Sequence, residues 1–179
     1  KKMMMKQSIL LLLALSLIGC GAAPKTNAPV IQTSGPIIHL ADNLDEKDKL
    51  GWCIDTEGRG FSETLHAHSC KPEGDDVLFR YDSETLQICS VAYPGFCAAM
   101  VGGPRQGMTL GLVKSDPTSP DQKFTYDKES GEFRPQEDST LCLAVGGESE
   151  AAGPYMSRVL TLKPHASTER SLKEWVIKE

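Results

Sequence analysis

Two short segments of this chain have nearly the same sequence and lie 45 residues apart. Residues 79–85 read FRYDSET, and residues 124–130 read FTYDKES. Side chains alternate between the two faces of a β-strand, so the Phe and Tyr of each segment share one face. The Asp, Glu and hydroxyl residues that follow are typical of a turn. Each segment is therefore predicted to be a strand that ends in a reverse turn, and the recurrence predicts a repeat protein.

Cysteines recur at the same interval. Cys53, Cys97 and Cys142 each lie in a short apolar run, and they are separated by 44 and 45 residues. The aromatic residues Phe79, Phe124 and Trp175 follow them after 26, 27 and 33 residues, respectively. These spacings predict three units of about 45 residues, the last with an insertion of about six residues in the loop at 146–154 or at 164–170.

Each unit is predicted to contain four strands. Further β-like runs lie at 64–69, 108–114 and 156–163, before the aromatic residues, and at 86–91 and 132–134, after them. The third unit has no such run after Trp175, and the apolar segment Ile37-Ile38-His39-Leu40 is expected to replace it. The N-terminal strand would then pair beside the C-terminal one and remove exposed sheet edges. An all-β domain over residues 37–179 is therefore predicted.

The first 19 residues differ from the rest of the chain. Lys1, Lys2 and Lys6 precede the apolar run at 9–18, a pattern typical of a secretory signal and short for a membrane span. The sequence Leu17-Ile18-Gly19-Cys20 resembles the lipobox of bacterial lipoproteins. That resemblance implies that Cys20 becomes the first residue of the mature chain and carries fatty acids such as palmitate. The alternative is an ordinary signal peptide that happens to be followed by a cysteine.

Residues 20–36 are expected to be the lipidated cysteine and a flexible tether, because they are rich in small and polar residues without hydrophobic periodicity. Gly21, rather than Asp, after the cysteine is compatible with the outer membrane of a Gram-negative cell. The predicted location is therefore the cell envelope, with the chain held at the membrane by its lipid. The formal charge is −5, and no basic block is present, so nucleic acid is not an expected partner.

The repeats resemble those of the ricin B-type β-trefoil lectins. Cys53-Ile54-Asp55 is similar to the Cys-Leu-Asp-Val strand of that family, and Gln122-Lys123-Phe124 matches its Gln-x-Phe strand. Val77 and Lys173 replace the glutamine in the other two units, and Ala99 and Ala144 replace the aspartate. The resemblance implies a β-trefoil fold and binding of carbohydrate.

The cysteines are expected to form two disulfides, because an exported protein can keep them. The family resemblance implies a Cys53–Cys70 bridge, which would stabilise the fold by roughly 3 kcal/mol in the chain-entropy model. Cys89 and Cys97 flank a Pro-Gly turn, and in a hairpin they would face each other and could bridge. Cys142 would remain as a small buried apolar residue.

The resemblance implies one sugar site, in unit one, formed by Asp55, His66, His68 and Asp76. A carboxylate can accept hydrogen bonds from two adjacent hydroxyls while a flat ring covers the apolar face of the sugar. The alternative is that these are solvated polar residues of a degenerate repeat. His66, His68 and Cys70 alternate along one strand, but no fourth ligand is evident, so neither a metal nor a cofactor is predicted.

The sequence therefore predicts a lectin-like surface lipoprotein, with a glycan or glycoconjugate and the membrane as its partners. A second hypothesis is a degenerate trefoil that binds a protein, as a scaffold or as the cell-binding subunit of an envelope or toxin assembly. Lipidated trefoil subunits of cytolethal distending toxins are similar in layout. The chain contains no nucleophile elbow, phosphate loop or metalloprotease helix, so no enzymatic activity is predicted.

Overall fold

The computed structural model describes residues 27–179, and within them all regular structure consists of β-strands and two short 3-10 turns. Each unit contributes strands in the predicted order. The strands of unit one are β2 (Trp52–Thr56), β3 (Leu65–Ser69), β4 (Phe79–Asp82) and β5 (Gln87–Ser90). Those of unit two are β6 (Phe96–Ala99), β7 (Gly111–Lys114), β8 (Phe124–Asp127) and β9 (Glu132–Pro135). Unit three contains β10 (Leu141–Val145), β11 (Glu150–Ala152), β12 (Tyr155–Arg158), β13 (Leu160–Pro164) and β14 (Trp175–Lys178).

The N-terminal strand β1 (Ile37–Leu40) completes unit three, as the sequence predicts. It pairs antiparallel with β14, from Ile37 opposite Lys178 to Leu40 opposite Trp175. Its other edge lies beside β2, in a six-stranded sheet of order β11-β12-β3-β2-β1-β14. The two ends of the described chain are therefore joined by strand pairing.

The recurring aromatic segments form the core and link one unit to the next. Phe79, Phe124 and Trp175 are fully buried in one cluster. The Tyr81 hydroxyl donates to the Phe124 carbonyl oxygen at 2.8 Å, and the Tyr126 hydroxyl donates to that of Trp175 at 2.8 Å. Each tyrosine thus satisfies its polar end on the backbone of the following unit while its ring packs inside.

The turns after these strands also agree with the prediction. Asp82 Oδ1 accepts hydrogen bonds from the backbone N–H groups of Glu84 and Thr85, and Asp127 Oδ1 accepts one from that of Glu129. Such side-chain acceptors stabilise a tight turn by mimicking a backbone carbonyl.

The insertion in unit three lies at the first of its two predicted positions and forms a hairpin of its own. The run at 156–163, predicted as one strand, is instead interrupted at Val159, which separates β12 from β13. Strand β13 pairs with β10 inside unit three, whereas β12 leaves that unit and pairs with β3 of unit one. The division arises because the two halves of the run satisfy their backbone hydrogen bonds on different units.

The folded domain extends further towards the N-terminus than the boundary at residue 37 predicts. Residues 27–36, expected to belong to the tether, pack along the domain: Val30 N–H donates to the Lys49 carbonyl at 2.6 Å, and the buried Thr33 hydroxyl donates to that of Lys71 at 2.9 Å. Their polar backbone finds acceptors in the domain, so composition alone was misleading here. The predicted signal peptide at 1–19, the lipid site at Cys20 and residues 20–26 lie outside the described residues.

Both predicted disulfides are present, Cys53–Cys70 and Cys89–Cys97. Cys142 is free and buried, as expected. Among residues 27–179, no helix has the length and apolar character needed to cross a membrane.

Candidate functional site

The four residues that the sequence singles out converge at one end of unit one. Asp55 lies near the end of β2, directly opposite His66 in β3, and His68 lies two residues further along the same strand. Asp76 approaches from the loop before β4. His66, His68 and Asp76 line a cleft of about 400 Å³, which lies within the usual size range of small-molecule sites.

Asp55 is only 1% exposed and lies behind three residues that line this cleft, His66, His68 and Lys71. Its Oδ2 atom is 3.1 Å from Lys71 Nζ, 3.7 Å from His68 Nδ1 and 3.8 Å from His66 Nε2. Despite these charged and polar neighbours, neither carboxylate oxygen accepts a well-aligned hydrogen bond from any residue in the range 27–179. Oδ2 is already paired with the Lys71 ammonium group, so the capacity left for donor groups such as hydroxyls lies chiefly at Oδ1.

Lys71 is a site residue that the sequence analysis missed. Its ammonium group lies between two carboxylates, 2.6 Å from Asp76 Oδ2 and 3.1 Å from Asp55 Oδ2. Burial alone would lower the pKa of Lys71, but the hydrogen bond to Asp76 and the charge of Asp55 raise it above its ordinary value. The only signal in the sequence is that Lys71 directly follows Cys70, whose disulfide to Cys53 fixes the end of β3 against β2.

The two histidines present flat rings to the cleft. Their centroids are 5.4 Å apart, with an angle of 40° between the ring planes. His68 Nδ1 lies 3.0 Å from the Ser69 carbonyl oxygen, and because a carbonyl can only accept, this nitrogen carries the proton. Burial lowers the pKa of His68, so the imidazole remains neutral at pH 7 and its Nε2 atom is free to accept.

The opposite wall of the cleft comes from unit three. Residues 152–155, at the tip of the β11–β12 hairpin, line the cleft, and the Tyr155 ring lies 5.6 Å from that of His68 at an angle of 64°. The sequence indicates an insertion in unit three but does not connect it with unit one. Pairing of β12 with β3 is what brings it to this site.

The equivalent positions in units two and three lack this chemistry. In the strand register, Ala99 and Ala144 occupy the position of Asp55, while Gly111 and Thr161 occupy that of His66. A groove between unit one and unit two is instead bordered by the partly exposed rings of Phe61, from the β2–β3 loop of unit one, and Phe96 of unit two, whose centroids are 4.9 Å apart. Residues 27–179 contain no group of three or more His, Cys, Asp or Glu side chains placed to hold a metal ion.

No protein-family model and no curated protein matches the chain. Several solved structures, however, are similar to it. The β-trefoil lectin of the Vibrio vulnificus hemolysin/cytolysin, solved with N-acetyl-D-lactosamine bound, is 10% identical with a TM-score of 0.53, over 80% of this chain and 93% of that one. The C-terminal half of an earthworm R-type lectin, in complex with GalNAc, is 16% identical with a TM-score of 0.53, over 80% of this chain and 98% of that one.

A third similar structure belongs to a larger protein. GalNAc-T7, solved with UDP, GalNAc and Mn2+, is 16% identical with a TM-score of 0.54 over 85% of this chain, and the match spans only 23% of GalNAc-T7. Identities this low carry information about the fold alone. The chain has the β-trefoil fold of the ricin B-type lectins, as its repeats predict.

Proposed function

We propose that this protein binds carbohydrate through the cleft in unit one. The observation that supports the proposal most directly is the Asp55 carboxylate, which is buried behind the cleft lining and whose Oδ1 atom accepts no hydrogen bond from the described residues. Sugar hydroxyls are donors of the right kind, and two adjacent ones can share a single carboxylate. The flat rings of His66 and His68 beside it offer an apolar surface to a sugar ring.

Lys71 has a supporting role in this proposal. Its ammonium group lies between the carboxylates of Asp55 and Asp76. We therefore assign Lys71 the task of orienting the Asp55 and Asp76 carboxylates in the site.

Glycan-array screening of the purified protein, followed by calorimetry with the best ligand, tests the proposal. Asp55→Asn keeps the size of the side chain but removes its charge, and it is expected to weaken binding at least tenfold, since hydrogen bonds to charged groups contribute about 1.5–3 kcal/mol. Glu57→Gln, at an exposed position two residues further on, is the matched control and should bind normally. The absence of any glycan ligand, or equal binding by Asp55→Asn, would show the proposal to be wrong. The proposed activity is binding alone, so the ligand should be recovered chemically unchanged.

We also propose that the protein is held at the cell envelope by a lipid on Cys20. The support is the lysine-rich start, the apolar run at 9–18 and the lipobox-like Leu17-Ile18-Gly19-Cys20. Metabolic labelling with a palmitate analogue is the test, together with fractionation of inner and outer membranes. Label should appear in the outer-membrane fraction and be lost in Cys20→Ser, and an unlabelled, freely released protein would refute the proposal.

Protein binding at the groove between units one and two is the second candidate function. Phe61 and Val101 are 46% and 58% exposed, and Phe61 contacts both Tyr93 and Phe96 at ring distances of 5.2 and 4.9 Å. Exposed clusters of this kind often mark interaction surfaces. Co-purification from native membranes would identify such a partner. Loss of the partner in Phe61→Ser, without competition from sugars, would favour this function over carbohydrate binding.

A further inference from the structure

The cleft of unit one contains a residue that belongs to another unit. His66, His68 and Tyr155 form a row of rings, with centroid distances of 5.4 Å and 5.6 Å between neighbours. Only the first two come from unit one. Imidazoles are small platforms for stacking, whereas a phenol ring combines a larger apolar face with a polar end.

We propose that the β11–β12 hairpin is part of the carbohydrate site of unit one, and that Tyr155 supplies the aromatic surface on which the C–H face of the bound saccharide packs. This inference rests on the proposed function and adds a residue to it. The site is then shared between two units: Asp55 of unit one accepts the hydroxyls, and Tyr155 of unit three covers the ring.

Two sets of contacts hold the hairpin in this position. The first is the strand pairing between β12 and β3, in which Ser157 lies opposite His68 and Arg158 opposite Ala67. The buried Ser69 hydroxyl extends it, since it accepts from the Met156 N–H group at 3.1 Å and donates to Glu46 Oε1 at 3.0 Å. The residue after Tyr155 is thereby bonded to the end of the strand that carries both histidines.

The second set is formed by Arg158, which is 4% exposed. Its guanidinium group lies 4.7 Å from the centre of the Trp52 ring, donates to the Gly146 carbonyl at 2.6 Å and forms an ion pair with Asp45. Asp45 also accepts a hydrogen bond from Ser149, just before β11. Residues at both ends of the hairpin therefore contact the same carboxylate, that of Asp45.

This arrangement bears on binding because a fixed aromatic surface loses little conformational freedom when a ligand arrives. A tyrosine on a mobile loop would have to be ordered at that moment. Tyr155 remains partly exposed and lines the cleft. Its ring is thus available at the surface of the cleft, while its backbone is held in place.

The test compares four variants of the whole protein with the best glycan from the array: Tyr155→Ala, Tyr155→Phe, Tyr155→Trp and the exposed hairpin control Glu150→Gln. Tyr155→Ala is expected to raise the dissociation constant about tenfold, which corresponds to about 1.4 kcal/mol. Phe and Trp keep a ring and should remain within about threefold of the original, as should Glu150→Gln. Rescue by Phe and Trp is a result that a purely structural role in folding would not give for rings of such different size.

The outcomes separate the two proposals. Loss of binding in both Tyr155→Ala and Asp55→Asn, with thermal midpoints unchanged, supports the shared site. Loss in Asp55→Asn alone, with Tyr155→Ala binding normally, overturns this inference and leaves the proposed function intact. No glycan binding by the unaltered protein overturns both.

Discussion

Glu132 and Lys173 form an ion pair inside the trefoil, with Lys173 Nζ 2.9 Å from Glu132 Oε1. Both side chains are largely buried, and Lys173 also donates to the His165 carbonyl at 2.5 Å. The other carboxylate oxygen of Glu132 is 2.6 Å from Arg134 Nη2. Burial would raise the pKa of Glu132, but the hydrogen bonds from Lys173 and Arg134 outweigh it and lower that pKa.

The equivalent positions at the other two junctions between units are filled by pairs of different chemistry. Between units one and two, Gln87 Nε2 donates to Gln122 Oε1 at 2.7 Å, and between β1 and unit one, Ile37 and Val77 are fully buried in one apolar cluster. The backbone hydrogen bonds show that these positions are equivalent. In each pair, the residue just before the first member accepts a hydrogen bond from the backbone N–H group of the core aromatic residue. The donor and acceptor pairs are Phe79 and Pro36, Phe124 and Leu86, and Trp175 and Gly131. One site in the fold thus accepts an apolar, an amide or an ionic pair, provided that both members match.

Replacing the Glu132–Lys173 ion pair by an amide pair like that of Gln87 and Gln122 tests whether both members must match. Glu132→Gln alone leaves Lys173 buried without a carboxylate and should lower the free energy of unfolding by about 3 kcal/mol. Lys173→Gln should cost less, because Glu132 keeps Arg134. The double variant restores a matched pair and is expected to lie within about 1 kcal/mol of the original protein. Urea denaturation of all four proteins measures the coupling, and a double variant as unstable as the sum of the singles would contradict it.

The fold could be predicted from the sequence because its core has the period of the chain. Each unit buries an aromatic residue and an apolar cysteine-containing strand at the same place, so Phe79, Phe124 and Trp175 are visible as a repeat. The closing strand could be predicted because the β-branched, apolar stretch from Ile37 has no other role. Local patterns that recur carry this information without any knowledge of distant contacts.

Part of the candidate site could be predicted from the family resemblance of the repeats, and part could not. Asp55, His66 and His68 lie on paired strands, at positions that the resemblance implies for the site. Lys71 depends on the path of the chain after a disulfide, and Tyr155 depends on a pairing between residues almost ninety positions apart, Ser157 with His68. Such a pairing is decided by which sheet edge is free, and no local pattern encodes that.

Stability is expected to decrease when the pH falls below the ordinary pKa of histidine. Burial lowers the pKa of both His39 and His68 in the folded protein. Below about pH 6.5 the unfolded chain therefore takes up protons that the folded chain does not, and stability falls until the folded-state pKa is passed. Each histidine contributes at most about 1.4 kcal/mol per pH unit in this window.

Thermal unfolding between pH 8 and pH 5 measures this effect. The midpoint should be flat above pH 7 and fall below pH 6.5, and the fall should be smaller in His39→Gln. A midpoint that is independent of pH down to pH 5, where the carboxylates begin to contribute, would refute the assignment.

Cys142 is expected to be unreactive in the folded protein. Burial raises the pKa of its thiol to about 11, so almost no thiolate is present at pH 8. Iodoacetamide at pH 8 should leave the peptide that contains Cys142 unmodified, and the same treatment in concentrated denaturant should modify it fully. Peptide mapping by mass spectrometry separates this residue from any other free thiol. Rapid modification of the folded protein would show that the thiol is accessible.

The two disulfides are expected to contribute unequally to stability. The chain-entropy model gives about 3 kcal/mol for the loop closed by Cys53 and Cys70 and about 2.5 kcal/mol for that closed by Cys89 and Cys97, because their sequence separations are 17 and 8 residues. Each bridge can be removed by a pair of Cys→Ala changes, and the two variants compared by denaturation. Only the first should also weaken ligand binding, because Lys71 directly follows Cys70. Equal loss of binding in both variants would argue against this local role.

Arg158 is expected to decide whether the β11–β12 hairpin stays on unit one. Arg158→Met keeps an apolar chain over Trp52 but removes the hydrogen bond to the Gly146 carbonyl and the ion pair with Asp45. A loss of about 2 kcal/mol is expected, within the range for hydrogen bonds of charged groups. Arg158→Lys should not restore the lost stability, because one ammonium group cannot contact the carbonyl, the carboxylate and the ring face together.

Arg80→Met, which breaks an exposed ion pair with Glu179, is the control and should cost less than about 1 kcal/mol. Amide hydrogen exchange across residues 150–157 should accelerate in Arg158→Met and not in Arg80→Met. Because Tyr155 would lose its fixed position, the affinity for the glycan should fall in the same variant, and unchanged exchange with unchanged affinity would show that the strand pairing to β3 holds the hairpin by itself.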